Sequence, residues 1–247
     1  MKIGNMSLLL FAIASMGVLG ACDDSSGPTQ GAVSLSLTVP SGGGSAQVAS
    51  PALFDLVYTD AASTLTLTSV ELVMREIELE KVDDDSCDET FEGDDECEEF
   101  QAGAGVFDVP VDGSTDAVLS LNNVPAGLYD ELEIEIHKVS DDPEDAPLLA
   151  ARPDLADVSI RVEGDFDGTP FTFDTGVEEE FEFEFSPPLD PTAGPINVTL
   201  SIDVESWFRS GADLLDPANE QNRSQIENNI QQSFEAFEDD DGDGEDD

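Results

Sequence analysis

The chain has 247 residues, and its 57 Asp plus Glu against 8 Lys plus Arg give a net charge of −49 at pH 7. A field of this sign repels phosphates, which excludes nucleic acid as a partner and favours calcium, a basic partner or simply a solvated acidic surface. Hydrophobic residues make up 39% of the chain, enough for the core of one moderate domain with tails.

The N-terminal stretch has the features of an export signal. Lys2 precedes an apolar run over residues 7–19, and the run ends in Leu-Gly-Ala-Cys at Cys22. This ending resembles the lipobox of bacterial lipoproteins, which implies cleavage after residue 21 and a lipid on Cys22. Residues 22–31 are small and polar and predict a flexible tether. We therefore expect a cell-envelope protein, tied by lipid to a membrane at the periplasmic face or the cell surface.

Two cysteines remain after Cys22 is assigned to lipid. Cys87 and Cys97 lie in an acidic stretch over residues 83–99. An even pair in an exported protein predicts a disulfide. A zinc site is the alternative, but the chain offers only His137 as a further soft ligand.

Alternating apolar and polar residues predict strands through most of the chain, beginning with Val33–Val39. Residues 53–58 fit either a short strand or a helical turn. Thr64–Val82 is the longest strand-like run, and its apolar positions change parity twice. Because a one-residue shift reverses the buried face, we expect a bulge or a change of sheet at each slip.

Further strands are predicted at residues 106–111, 117–121, 128–139, 158–162, 181–185 and 196–204. Asp167-Gly168 predicts a hairpin turn, with Pro170 placing the next strand near an edge, and Pro187-Pro188 is expected to end a strand. Strands at this spacing without intervening helices predict an all-β fold, an antiparallel β-sandwich of immunoglobulin- or transthyretin-like type over residues 32–210.

The C-terminal part changes its spacing. Within residues 211–238, a helix is predicted at 222–237 because Ile226, Ile230, Phe234 and Phe237 lie on one helical stripe. Residues 239–247 are acidic and predict a disordered tail.

The same tail contains a partial calcium motif. Asp239, Asp241 and Asp243, followed by Gly244, match the first ligand positions of an EF-hand loop, but the bidentate Glu of that loop is missing. The motif predicts weak Ca²⁺ binding, and an Asp- and Gly-rich tail would also produce it by chance.

Two strands have alternating glutamates. Glu131, Glu133 and Glu135 alternate with apolar residues on one strand, and a second row at 180, 182 and 184 does so on another. If the strands are neighbours, the rows form a carboxylate wall that is costly without cations. The simpler interpretation is that both rows face solvent.

The sequence has no catalytic signature. His137, the single histidine, falls on the polar side of its strand and is expected to be exposed. The chain has no Gly-x-Ser-x-Gly motif and no free thiol if the disulfide forms. We therefore predict that the protein is not an enzyme. The alternative is an accessory or enzymatic role in envelope polysaccharide handling, the enzymatic form using a pair of carboxylates.

Several segments resemble uncharacterised bacterial lipoprotein domains with a transthyretin- or immunoglobulin-like sandwich. They are residues 64–73 with Arg75–Leu79, Val124–Tyr129, and Gly168–Phe171. The resemblance implies the fold and a surface location and transfers no functional residue. The predicted function is a lipid-anchored binding or structural module associated with calcium, whose protein or polysaccharide partner is not specified by the sequence.

Overall fold

The computed structural model describes residues 31–40, 55–82, 99–102, 104–112 and 114–239. Its strands are β1 Gly31–Thr38, β2 Leu56–Thr59, β3 Thr64–Lys81, β4 Glu99–Ala102, β5 Gly105–Asp108, β6 Thr115–Val124, β7 Tyr129–Ile136, β8 Ile160–Phe166, β9 Thr169–Thr175, β10 Glu179–Leu189, β11 Ile196–Ile202, β12 Arg209–Ser210, β13 Asp213–Leu214 and β14 Phe234–Glu238. Its helices are α1 Ala146–Ala151, α2 Val204–Trp207 and α3 Arg223–Ile230, with a 3₁₀ turn at Pro153–Leu155.

Two sheets pack against each other, which confirms the predicted all-β sandwich. The first sheet has the order β14-β11-β1-β6. The second has the order β10-β7-β3-β8-β9, and β2, β4 and β5 also pair with β3. One pairing corrects the antiparallel prediction, because β1 and β11 run parallel.

The core lies between the sheets and is built from the apolar positions of the alternating strands. Leu35 of β1, Val198 of β11 and Ile134 of β7 are buried in one cluster with residues of both sheets. Trp207 of α2 is fully buried and donates its Nε1–H to Ser233 Oγ at 2.5 Å. The alternation therefore directs the apolar side chains of both sheets into one core. In the first sheet, β11 is also buried on its other face, at Thr199 and Ser201.

Two bulges explain the parity changes of β3. Its pairing with β8 shifts between Leu67 and Ser69, and its pairing with β7 shifts between Arg75 and Glu78. Within the second bulge, Glu76 has a φ of 51°, in the left-handed region. The predicted bulges are confirmed. Because of them, the apolar residues before, between and after the two parity changes all lie in the core.

The hairpin between β8 and β9 is confirmed. Its turn residues Asp167 and Gly168 have φ values of 54° and 78°, as a tight two-residue turn requires. Pro170 lies in β9, at the edge of the second sheet. Pro187 and Pro188, in contrast, do not end β10, which runs on to Leu189 as the opposite edge strand. An edge tolerates proline because one side of the strand needs no donors.

The C-terminal helix is shorter than predicted. It ends at Ile230, and Phe234 and Phe237 belong instead to β14, which pairs with β11. The sandwich therefore extends beyond residue 210. The edge of β11 requires a hydrogen-bonding partner, and a strand supplies it where a helix cannot.

The predicted disordered tail begins one residue too early, because Asp239 is fully buried. Its backbone N–H donates to the carbonyl of Asn197. The predicted signal peptide, lipidated Cys22, the Cys87 and Cys97 pair and residues 240–247 lie outside the described residues. Among the residues that are described, no helix is long and apolar enough to cross a bilayer.

Candidate cation-binding face

Three neighbouring strands of the second sheet bring eight glutamates and one arginine onto one face. β7 lies between β3 and β10, and directly opposed residues share a face of the sheet. The three cross-strand rows are Glu80, Glu131 and Glu184; Glu78, Glu133 and Glu182; and Arg75, Glu135 and Glu180. We call these nine residues the carboxylate face. The two rows predicted from the sequence are therefore neighbours.

The bulge at Glu76 adds the third strand to the face. Without it, the residues that share a side with Arg75 would be Ile77 and Leu79. The bulge turns these two into the core, where both are fully buried, and places Glu78 and Glu80 opposite the glutamates of β7. One backbone irregularity therefore sets both the core packing and the composition of the outer face.

Glu133 occupies the centre of the carboxylate face and is partly buried. This burial, followed by repulsion from Glu180, Glu78, Glu80 and Glu182, raises the pKa of Glu133 to about 7. Burial and neighbouring carboxylates also raise the pKa of Glu131. The centre of the face is thus a place where a proton or another cation is favoured.

Arg75 neutralises one end of the face. Its Nε donates to Glu135 Oε2 at 2.8 Å and its Nη2 donates to Glu135 Oε1 at 3.1 Å, so the ion pair is bidentate. Arg75 Nε also lies 3.3 Å from Glu76. The row with Glu135 is therefore partly neutralised, since it holds one arginine and two glutamates, whereas the two other rows consist of glutamates alone.

His137 lies beside this end of the face, and its predicted exposure is wrong. It is 4% exposed, and its Nε2 lies 3.0 and 2.9 Å from the two carboxylate oxygens of Asp145. Asp145 lies at the turn before α1 and also accepts from the backbone N–H and the hydroxyl of Ser140. The loop that follows β7 folds back and covers the imidazole.

The basic residues among the described residues are all engaged within the protein. Six form ion pairs with carboxylates, and Lys81 lies 5.9 Å from the centre of the Tyr129 ring. The six are Arg75, Lys138, Arg152, Arg161, Arg209 and Arg223. The basic charge is thus committed to internal contacts, which leaves a large surplus of carboxylates for external cations.

The predicted calcium ligands are not brought together with this face. Asp239 is on the first sheet, where its Oδ2 accepts from the Thr199 hydroxyl at 3.0 Å. Asp241 and Asp243 fall outside the described part of the chain. Within that part, no three His, Cys, Asp or Glu side chains are arranged to hold a metal ion. The carboxylate face is therefore an extended charged layer and not a closed cage.

An open groove lies at the end of the first sheet, away from the glutamates. None of its described lining residues is ionisable. Its lining residues are Gly31, Ala32, Asn122, Asn123, Pro191, Gly194 and Pro195. The described lining thus offers no carboxylate pair of the kind that glycoside hydrolysis requires.

Comparison with known proteins found no matching family model, no similar curated protein and no similar solved structure. The site therefore has to be interpreted from its own geometry. Sequence reasoning missed Glu78, Glu80, Arg75 and Asp145 as parts of it. The second parity change of β3 was the available signal for the first two, because it places them on the outer side.

Proposed function

We propose that this protein is an exported, lipid-anchored and non-enzymatic module of the cell envelope whose carboxylate face associates with divalent cations, Ca²⁺ in particular. The anchor rests on the lipobox-like sequence ending at Cys22. The cation association rests on the register of β3, β7 and β10. The role we assign is structural, with the cation completing a sheet surface at the membrane.

The observation that carries the proposal is the all-glutamate row of Glu78, Glu133 and Glu182 at the centre of the face. Like charges directly opposed across strands destabilise a sheet. A divalent cation relieves this repulsion more effectively than protons do at neutral pH. Carboxylate oxygens are the ligands that Ca²⁺ prefers, and its flexible coordination suits ligands on separate strands.

The layered arrangement sets the expected affinity. Because no preformed cage is present among the described residues, the glutamates have to reorient and share ions with water. We therefore expect weak, millimolar binding, of the kind found in extracellular calcium modules. The exposure of Glu180, Glu182 and Glu184 on β10 leaves the face open to such ions.

This arrangement favours a binding module over the polysaccharide-processing alternative. A glycosidase needs two carboxylates that face each other across a cleft. The glutamates here lie side by side on the outer side of a sheet, opposite in direction to the core residues Leu132 and Ile134. Such a surface can bind cations but does not enclose a sugar ring.

Thermal unfolding in calcium tests the proposal. Millimolar CaCl₂ should raise the Tm by about 2–4 °C, which corresponds to about 1 kcal/mol for a chain of this size, relative to NaCl of equal ionic strength. A Glu133→Gln/Glu182→Gln variant should lose most of this shift. The control variant, Glu144→Gln/Glu163→Gln, removes two exposed glutamates elsewhere and should keep it. An equal calcium shift in all three proteins, or none in the wild type, would contradict the proposal.

A further inference from the structure

Among the described residues, the buried Nδ1 atom of His137 has no hydrogen-bond partner. The imidazole is 5% exposed, and the polar atom facing Nδ1 is Glu135 Oε1, at 3.7 Å. This distance is too long for a hydrogen bond. A buried nitrogen left in this way is costly unless something satisfies it, so its position beside the carboxylate face calls for an explanation.

The contacts of the other ring nitrogen, Nε2, decide which nitrogen carries the proton when the imidazole is neutral. Nε2 lies 3.0 and 2.9 Å from the two carboxylate oxygens of Asp145, and Asp145 also accepts from the backbone N–H and the hydroxyl of Ser140. Asp145 is the acceptor in all of these contacts, so Nε2 of His137 carries the proton that it donates. In the neutral ring this leaves the lone pair on Nδ1, directed toward Glu135.

We infer that His137 Nδ1 and Glu135 form a binding site for a transition-metal dication of the zinc, nickel or copper class. Two ligands of a tetrahedral zinc ion, one nitrogen and one oxygen, are about 3.4 Å apart, close to the 3.7 Å between Nδ1 and Oε1. Metal-binding histidines characteristically donate their second N–H to a carboxylate, which is the role of Asp145.

The site goes beyond the calcium association proposed for the face. Imidazole nitrogen suits zinc, nickel and copper, whereas calcium selects oxygen ligands. Glu180 is the register partner of Glu135 on β10 and is the nearest further carboxylate in that row. Water supplies the remaining positions. Arg75 competes for Glu135, so we expect moderate affinity.

The experiment is a zinc titration of the full chain in excess CaCl₂, followed by NMR of the imidazole protons and by calorimetry. His137 is the only histidine, so its ring signals need no assignment. We expect zinc to shift them, and His137→Gln and Glu135→Gln each to weaken the calcium-resistant zinc binding by at least about tenfold, since even an outer-shell change costs that much.

Glu163→Gln is the control, because it removes an exposed glutamate of β8 that lies outside the carboxylate face. It should leave zinc affinity within about twofold of the wild type, well inside the loss expected for a ligand. Ring signals that do not move at saturating zinc, or equal affinity in the wild type and in Glu135→Gln, would overturn the site. Calcium stabilisation is measured separately, so failure here leaves the test of the carboxylate face unaffected.

Discussion

At the scale of single residues, the clearest consequence of the fold concerns Glu133. Its pKa is raised from 4.5 to about 7 in the folded protein. Between these values, the folded state binds more protons than the unfolded state does. Stability from this residue is therefore fully present below pH 4.5 and is lost as the pH rises through about 7.

We predict that Glu133→Gln stabilises the protein at pH 8 and has little effect at pH 4. The expected gain is on the order of 1 kcal/mol, because solvent screening reduces the effect on a partly exposed group. Urea unfolding at both pH values measures it. Glu163→Gln, which removes an exposed glutamate of β8 outside the carboxylate face, is the control for the loss of one negative charge. A Glu133→Gln variant that is less stable than the wild type at pH 8 would refute the repulsion argument.

His137 shows why one residue can escape sequence reasoning. Alternation predicts it on the polar face of a strand over residues 128–139, and it lies just past the end of β7, near the glutamates. Its burial depends on Asp145, eight residues later, which returns over the ring through a turn that Ser140 helps to fix. No periodicity in a strand reports on what a following loop covers. The orphaned Nδ1 and the metal site inferred from it therefore became visible only in the folded chain.

At the scale of elements, β3 was predictable in kind but not in detail. The parity of its apolar residues indicated two irregularities, and the structure has a bulge at each of them, with a further register shift at the end of the strand, between Glu80 and Lys81. The sequence could not identify Glu76 as the residue with a positive φ, because neither Gly nor Asn marks the position. Tertiary contacts impose this conformation against the local preference of glutamate.

This imposed conformation predicts an unusual order of stabilities at position 76. Glu76→Gly should be about 1–2 kcal/mol more stable than Glu76→Val, because only glycine adopts the left-handed region without cost. In an ordinary strand the order is reversed, since valine is favoured over glycine. Chemical unfolding of the pair measures the difference. The same pair at Glu163, in β8, is the control and should show the ordinary order; valine superior at both sites would contradict the bulge.

Other elements could not be derived from periodicity. The parallel pairing of β1 with β11 is one, because alternation is the same in parallel and antiparallel strands. The end of α3 is another. Ile226, Ile230 and Phe234 fit a helical stripe, yet Phe234 packs 4.5 Å from the Phe181 ring as part of β14. Pairing with the edge of β11 favours a strand over a helix at Phe234, and β11 lies far from this residue in sequence.

At the scale of the whole molecule, the basic and the acidic residues have different roles. The described basic residues are engaged in contacts within the fold, and the surplus glutamates include a continuous three-strand face. The surface is therefore suited to attract cations and to avoid polyanions. The sequence established this sign and magnitude, but only the register of β3, β7 and β10 shows that part of the charge is concentrated.

The charge also sharpens the expectation for the predicted anchor. A negative protein is repelled by anionic headgroups, so the folded domain contributes no attraction to a membrane. Attachment should therefore depend wholly on lipid at Cys22, whose several acyl chains would hold it stably.

We predict that Cys22→Ser moves the protein from the detergent phase to the aqueous phase in a detergent phase separation. Mass spectrometry of the wild type should find acyl groups on Cys22. High salt should not release the wild-type protein from the membrane, because the folded domain has no electrostatic attraction to the membrane that salt could screen. A Cys22→Ser variant that stays with the membrane, or a mature Cys22 without lipid, would show that attachment has another origin.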